Sequence, residues 1–147
     1  LLLSPFYRLC DGLRHRWRLR HWKPELAWGR RAEDLAHRYL QAKGFQVVER
    51  NWVDPARRGE VDILAWDGDR LVFVEVKSRR NADFGDPERA IGEEKIKRLR
   101  RAAWFLLRRW RIPEEKARFD LVTVLFEPFE IRHIPDSWSL HRSNSVF

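Results

Sequence analysis

The chain has 147 residues, 44% of them apolar, which is the size and composition of one domain with a proper core. No apolar run approaches the ~20 residues that span a bilayer, and Cys10 stands alone, so an intrachain disulfide framework and a thiolate zinc site are excluded and a reducing, cytoplasmic setting is expected. Lys and Arg number 30 against 22 Asp and Glu, a net charge of +8 that suggests a polyanionic partner, nucleic acid first.

Residues 1–27 read as a basic extension. Residues 1–31 hold Arg8, Arg14, Arg16, Arg18, Arg20, Lys23, Arg30 and Arg31 against only Asp11 and Glu25, so the charge excess is concentrated there. Ser4 before Pro5 is a helix-starting pair. Leu3, Phe6, Cys10, Leu13 and Trp17 then recur at spacings of three and four and draw one apolar stripe among arginines, with Gly12 weakening the helix. Such a segment can lie on a membrane, grip nucleic acid, pack on the domain, or be a cleaved transit-type presequence. No Met occurs, which leads us to expect an unusual start codon or a fragment.

Residues 28–136 read as a compact α/β domain and residues 137–147 as a polar tail. A first domain helix is predicted over residues 29–43, with Ala32, Leu35, Ala36 and Tyr39 as its buried stripe and Gly44 closing it. Strands follow at residues 45–50, 61–66 and 71–77, the last two joined by the hairpin signal Asp67-Gly68-Asp69. A loop is predicted over residues 81–87, then a helix over 92–111 with the stripe Ile96, Leu99, Ala103, Leu106 and Trp110. Strands at residues 119–126 and 129–134 complete the order. The third and fourth strands flank a helix, so they should run parallel through a right-handed crossover in a mixed sheet covered by helices.

The strand over residues 71–77 carries the chemistry. Alternation puts Val72, Val74 and Val76 on one face and Phe73, Glu75 and Lys77 on the other. Burying Glu75 and Lys77 costs desolvation unless they are paired or useful. Two hairpin registers are open. With Gly68-Asp69 as turn residues, Asp62 lies opposite Glu75; with Asp67-Gly68, Glu60 does. Either places two carboxylates face to face, which destabilises a sheet unless a cation intervenes. Magnesium needs only one or two protein carboxylates, and a lysine beside it can orient or deprotonate water. The pattern is that of a phosphodiester-hydrolysing site. Glu33 borders the helix stripe as a further acid, and Asp120 is read as a partner of Arg118 or another base.

The run from Gly29 through Glu33 to Ala36, then Tyr39-Leu40, Gly44-Phe45, Glu49 to Trp52, Gly59-Glu60-Val61-Asp62, Val72 to Lys77, Phe84-Gly85, Lys95 and Arg118-Phe119-Asp120 resembles the YraN family of bacterial proteins, whose core is similar to PD-(D/E)xK nucleases and Holliday-junction resolvases. The resemblance covers about residues 28–125. It implies a restriction-endonuclease-like three-layer α/β/α fold with a mixed central sheet. It also implies Mg2+ or Mn2+ held by Asp62, Glu75 and the Val76 carbonyl, a catalytic or positioning role for Lys77, and a metal-side role for Glu33. Val61 stands where the motif's proline would be. Lys95 and Arg118 match family positions without a role that the sequence supplies. Lys95, Lys97, Arg98, Arg101 and Arg118 are candidate nucleic-acid contacts on the basic helix and the strand after it. The expected activity is metal-dependent endonuclease action on DNA; the alternative is a nucleic-acid-binding module with this fold and little or no cleavage. A homodimer is expected only by analogy with branched-substrate nucleases.

Overall fold

The computed structural model describes residues 3–81 and 91–142. The loop predicted over residues 81–87, with Phe84-Gly85, lies almost wholly outside them. Helix α1 (Pro5–His21) and helix α2 (Pro24–Ala42) come first. Strands β1 (Gln46–Val53), β2 (Glu60–Asp67) and β3 (Arg70–Asn81) follow, then helix α3 (Glu93–Trp110), β4 (Ala117–Glu127) and β5 (Phe129–Trp138). The five strands form one sheet in sequential order. Only β3 and β4 are parallel; the other three pairings are antiparallel. The mixed sheet and its α/β/α layering agree with the restriction-endonuclease-like expectation.

The period-two pattern of β3 sorts the core. Val72 and Val74 pack with Ile63, Val122, Val124 and the α2 residues Ala32, Leu35, Ala36 and Leu40. Leu71 and Phe73 pack on the other face, with Phe119 and the α3 residues Leu99, Ala103, Leu106 and Leu107. Each fully buried aliphatic or aromatic side chain contributes about 1.5–3 kcal/mol, so both faces of the central strand are anchored. The α3 stripe ends differently from its prediction. Leu107 closes it, and Trp110 is 42% exposed, because the buried row at i, i+4, i+7 and i+8 from Leu99 ends at Leu106 and Leu107 rather than at Trp110.

Helix α2 starts at Pro24, five residues before the predicted boundary, with proline in its first turn and Gly29 inside it. Gly44, with φ 97°, supplies the left-handed turn that releases the chain into β1. β5 likewise runs on to Trp138, past the predicted strand end.

The structure gives the apolar stripe of α1 a direction that the sequence left open. Its inward side is polar: Tyr7, Asp11, His15 and Arg18 meet α2. Tyr7 donates to the Asp34 carbonyl at 3.2 Å, Arg18 pairs with Asp34 at 2.7 Å, and Arg31 pairs with Asp11 at 3.1 Å. His15 packs edge-on against Trp28 at 4.4 Å, and burial holds its pKa below the ordinary range. Buried charges demand partners, and α2 offers Asp34 and Arg31 on this side; Phe6, Leu13 and Trp17 are left outside.

Two further features fix the frame of the site. Asp54 accepts from the Arg58 and Gly59 amides at 2.6 Å each, shaping the loop into β2. A Cβ on Gly59 would lie 2.5 Å from the Ala102 nitrogen, so α3 seats on β2 only because residue 59 has no side chain. Gly59→Ala should cost about 1–3 kcal/mol, read as a lowered urea midpoint; an unchanged midpoint would show that α3 is not seated this tightly.

Arg118, Asp120 and His133 form a buried staple on the α2 side of the sheet. Arg118 donates to both Asp120 oxygens and to Asp67, each at 2.8 Å. His133 Nε2 lies 2.7 Å from Asp120 Oδ2, and Lys43 Nζ lies 2.7 Å from His133 Nδ1. A lysine ammonium only donates, so Nδ1 accepts and Nε2–H points at the carboxylate. Burial works against the Asp120 charge, but the bonds from His133 and Arg118 outweigh it and hold the carboxyl below its usual range. The stabilisation is therefore present above about pH 4, the unfolded value, and is lost as pH falls through the depressed folded value. Asp120→Asn should cost about 3–5 kcal/mol at neutral pH. Urea denaturation should show the difference from wild type shrinking below about pH 4; a pH-independent difference would contradict the assignment.

Candidate active site

The site grows from the point where β2 and β3 part. Their ladder runs from Asp67 opposite Arg70 to Ile63 opposite Val74. Gly68, at φ 60°, and Asp69 are thus the turn residues. Continuing that register sets Asp62 at the level of Glu75, which decides between the two hairpins open to the sequence. Asp62 Oδ2 accepts the Val76 N–H at 2.9 Å. A side-chain oxygen thereby takes over where the backbone pairing stops, and its carboxylate is held against β3.

Glu75 continues the row of Leu71 and Phe73 toward α3 and is only 2% exposed. Its Oε2 has no hydrogen-bond partner among the described residues. Burial pushes the Glu75 carboxyl up to about 9, and the neighbouring Asp62 charge and a hydrogen bond with Asp62 push the same way; Lys95 and Lys77 pull against them. The pair is thus short of positive charge. One proton shared between the carboxyls meets that need in the protein alone, and these two carboxylates are the residues that could hold a cation.

Lys95 enters from the first turn of α3. Its Nζ lies 2.6 Å from Glu60 Oε1, 3.6 Å from Glu75 Oε2 and 3.8 Å from Asp62 Oδ1. Burial disfavours its charge, but Asp62, Glu75 and Glu60 together outweigh burial and hold the ammonium above the ordinary lysine range. Arg98 binds the other Glu60 oxygen at 2.8 Å. Glu60 is thereby neutralised by two bases, which leaves Asp62 and Glu75 as the pair with unmet demand. Lys77 is half-buried on the same strand and forms no ion pair among the described residues; its charge reaches Glu75.

The remaining candidates are placed elsewhere. Glu33 on α2 accepts from Asn51 Nδ2 at 3.0 Å and Arg50 at 3.3 Å, with Arg30 at 3.5 Å. No contact joins it to Asp62 or Glu75 among the described residues. Arg30 lies on α2 itself, and the other two partners lie on β1, where Arg50 stands opposite Ile63. Asn51 has φ 52°, a left-handed conformation that asparagine tolerates better than most residues. Across it Arg50 turns to α2 while Trp52 turns to α3, where it meets Phe105 at 5.6 Å. Lys97 pairs with Glu94 at 3.3 Å, and Arg101 is exposed. Arg118 departs from its reading as a nucleic-acid contact: three carboxylate bonds commit it to the interior staple.

The donor set suits a hydrated, oxygen-seeking ion. Two carboxylates converge, one of them with a buried, unbonded oxygen, and among the described residues no set of three His, Cys, Asp or Glu side chains forms a closed cage. Magnesium needs no such cage.

Sequence reading missed the placement of Lys95 and the Arg98–Glu60 pair. Glu93-Glu94-Lys95 is an ordinary helix start by sequence; the fold carries Lys95 over the hairpin because Gly59 lets α3 approach. Gly59 directly before Glu60 was the available signal.

Residues 32–124 match the model of the "Uncharacterised protein family UPF0102". A UPF0102 protein of Solibacter usitatus is 47% identical over 126 residues, covering 86% of this chain and 91% of the relative. A UPF0102 protein of Syntrophus aciditrophicus is 40% identical over 117 residues, covering 78% of this chain and 91% of the relative. One from Streptomyces griseus subsp. griseus is 51% identical over 100 residues, covering 67% and 82%. With the mixed sheet and the β2–β3 carboxylate pair in place, these likenesses carry the resemblance noted in the sequence to its conclusion: the chain belongs to the UPF0102, or YraN, family.

Proposed function

We propose that the protein is a metal-dependent endonuclease that hydrolyses phosphodiester bonds in nucleic acid, DNA in the first place. The observation that carries this reading is the Asp62–Glu75 pair, with Glu75 Oε2 buried and unbonded. Asp62, Glu75 and the backbone of Val76 would hold Mg2+ or Mn2+. Such an ion, when bound, supplies Lewis acidity toward a phosphate oxygen and toward water. Asp62 is oriented by the Val76 amide through Oδ2, and its Oδ1, 3.8 Å from the Lys95 ammonium, would be the oxygen offered to the ion. Lys77, half-buried beside Glu75 on the same strand, would orient the attacking water. Lys95 offsets negative charge that builds on the phosphoryl group. Glu33, one strand away, is a positioning residue that fixes Arg50 and Asn51.

Cleavage of single-stranded, duplex and branched DNA in Mg2+ or Mn2+, and its loss in EDTA, tests this reading. Cofactor-independent cleavage or none at all would oppose it. Lys95 favours a second reading. Its ammonium already lies among three carboxylates, so a binding module could keep the fold with lysine as the resident cation. That reading requires nucleic-acid binding that survives EDTA with no hydrolysis of any substrate. Cys10 is a free thiol, which suits action in the reducing cytoplasm. No helix among the described residues is long and apolar enough to cross a membrane.

A further inference from the structure

Among the described residues, the most exposed large apolar side chains include a set on the outward face of α1. Phe6 is 77% exposed, Leu9 62%, Leu13 55% and Trp17 55%. These residues form one row at about 3.6 residues per turn. Exposed Arg16 and Arg20 border the row on one side, and Arg14 and His21 on the other. The opposite side of the helix is engaged: Tyr7, Asp11 and Arg18 are bonded to α2 and its neighbours. The helix is therefore held with its apolar row outward by polar contacts on its inner side, and it cannot turn the row inward without breaking buried ion pairs.

We propose that this face docks on an anionic phospholipid surface, with α1 lying in the plane of the interface. An apolar row of Phe, Leu and Trp between arginines is the composition of an interfacial helix: the row enters the acyl boundary and the guanidinium groups bind headgroup phosphates. Trp17, at the end of the row, has the amphipathic ring that favours the headgroup level. The seventeen-residue helix is only about 25 Å long and is densely charged, so it lies on a bilayer and does not span it. Other occupants fit less well. Leu9 and Leu13 offer nucleic acid no face for stacking, and a two-fold pairing of this face would set its arginine rows against identical rows. The docking is independent of the nuclease reading, since none of these residues belongs to the Asp62–Glu75 site.

Vesicle co-sedimentation of the full chain tests it. Wild type should bind phosphatidylglycerol-containing vesicles at least about tenfold more tightly than phosphatidylcholine vesicles at low salt, and binding should weaken severalfold in high salt. Phe6→Glu and Leu13→Glu should each reduce binding by about tenfold or more, with circular dichroism and Tm unchanged because both side chains already face water. Absence of binding to anionic vesicles would overturn the proposal. So would binding that both variants retain. A concentration-dependent dimer that Leu13→Glu dissociates, without lipid binding, would assign the face to a second copy and overturn it equally.

Discussion

Replacing Asp62 with Ala is expected to lower Mg2+- or Mn2+-dependent cleavage by at least about 10³-fold, or ~4 kcal/mol of transition-state stabilisation. The fold should survive. The carboxylate's hydrogen bond to the Val76 amide at 2.9 Å contributes about 1 kcal/mol, and its removal also relieves the repulsion that Glu75 feels. Asp62→Asn separates the two roles, because an amide oxygen still accepts from Val76 but brings no charge. Equal loss of cleavage in both variants, with the native urea midpoint kept in Asp62→Asn, would assign the function to the charge. Cleavage retained by a clean preparation of Asp62→Ala would remove this residue from the mechanism.

Glu75→Gln should abolish cleavage and yet stabilise the protein, by about 1–3 kcal/mol near neutral pH. The sign follows from the raised carboxyl, pushed to about 9 by burial first and Asp62 second. Below about pH 4.3 the group is protonated folded or unfolded, and the protonated form is the one the site accommodates. Between that value and the folded one, unfolding releases a proton, so wild-type stability falls as pH rises. Glutamine does not titrate and escapes this loss. The stability gap between Glu75→Gln and wild type, from urea curves at pH 5, 7 and 9 without metal, should widen with pH. A constant gap, or a less stable variant at every pH, would mean that Glu75 is buried for structural reasons.

The sequence made some of this legible and hid the rest for identifiable reasons. The alternation of Leu71 to Lys77 was enough to place Glu75 and Lys77 on the face away from Val72 and Val74, because a strand offers only two faces. Glycine chemistry marked the hairpin but left its register open, since Asp67-Gly68 and Gly68-Asp69 make equally good turns. The family resemblance pointed to Asp62, and the observed ladder, continued by one residue, sets Asp62 rather than Glu60 at the level of Glu75. Lys95 could not be placed, because its approach depends on α3 seating over Gly59, a contact between distant parts of the chain. The orientation of α1 stayed open in the sequence, because periodicity finds an apolar stripe but not what lies beneath the helix. Asp34 and Arg31 reward the polar side of α1 with ion pairs, and the stripe goes outward. Arg118 carried two readings, a nucleic-acid contact and a partner of Asp120, and its bonds to Asp120 and Asp67 bear out the second.

Titration calorimetry of the protein with Mn2+, wild type against Asp62→Ala and in two buffers of different ionisation enthalpy, addresses the metal centre without requiring turnover. Wild type should show one site and proton release on binding as the Glu75 carboxyl ionises, and Asp62→Ala should lose both. Identical binding by the two proteins, or no binding by wild type, would contradict the proposed metal site.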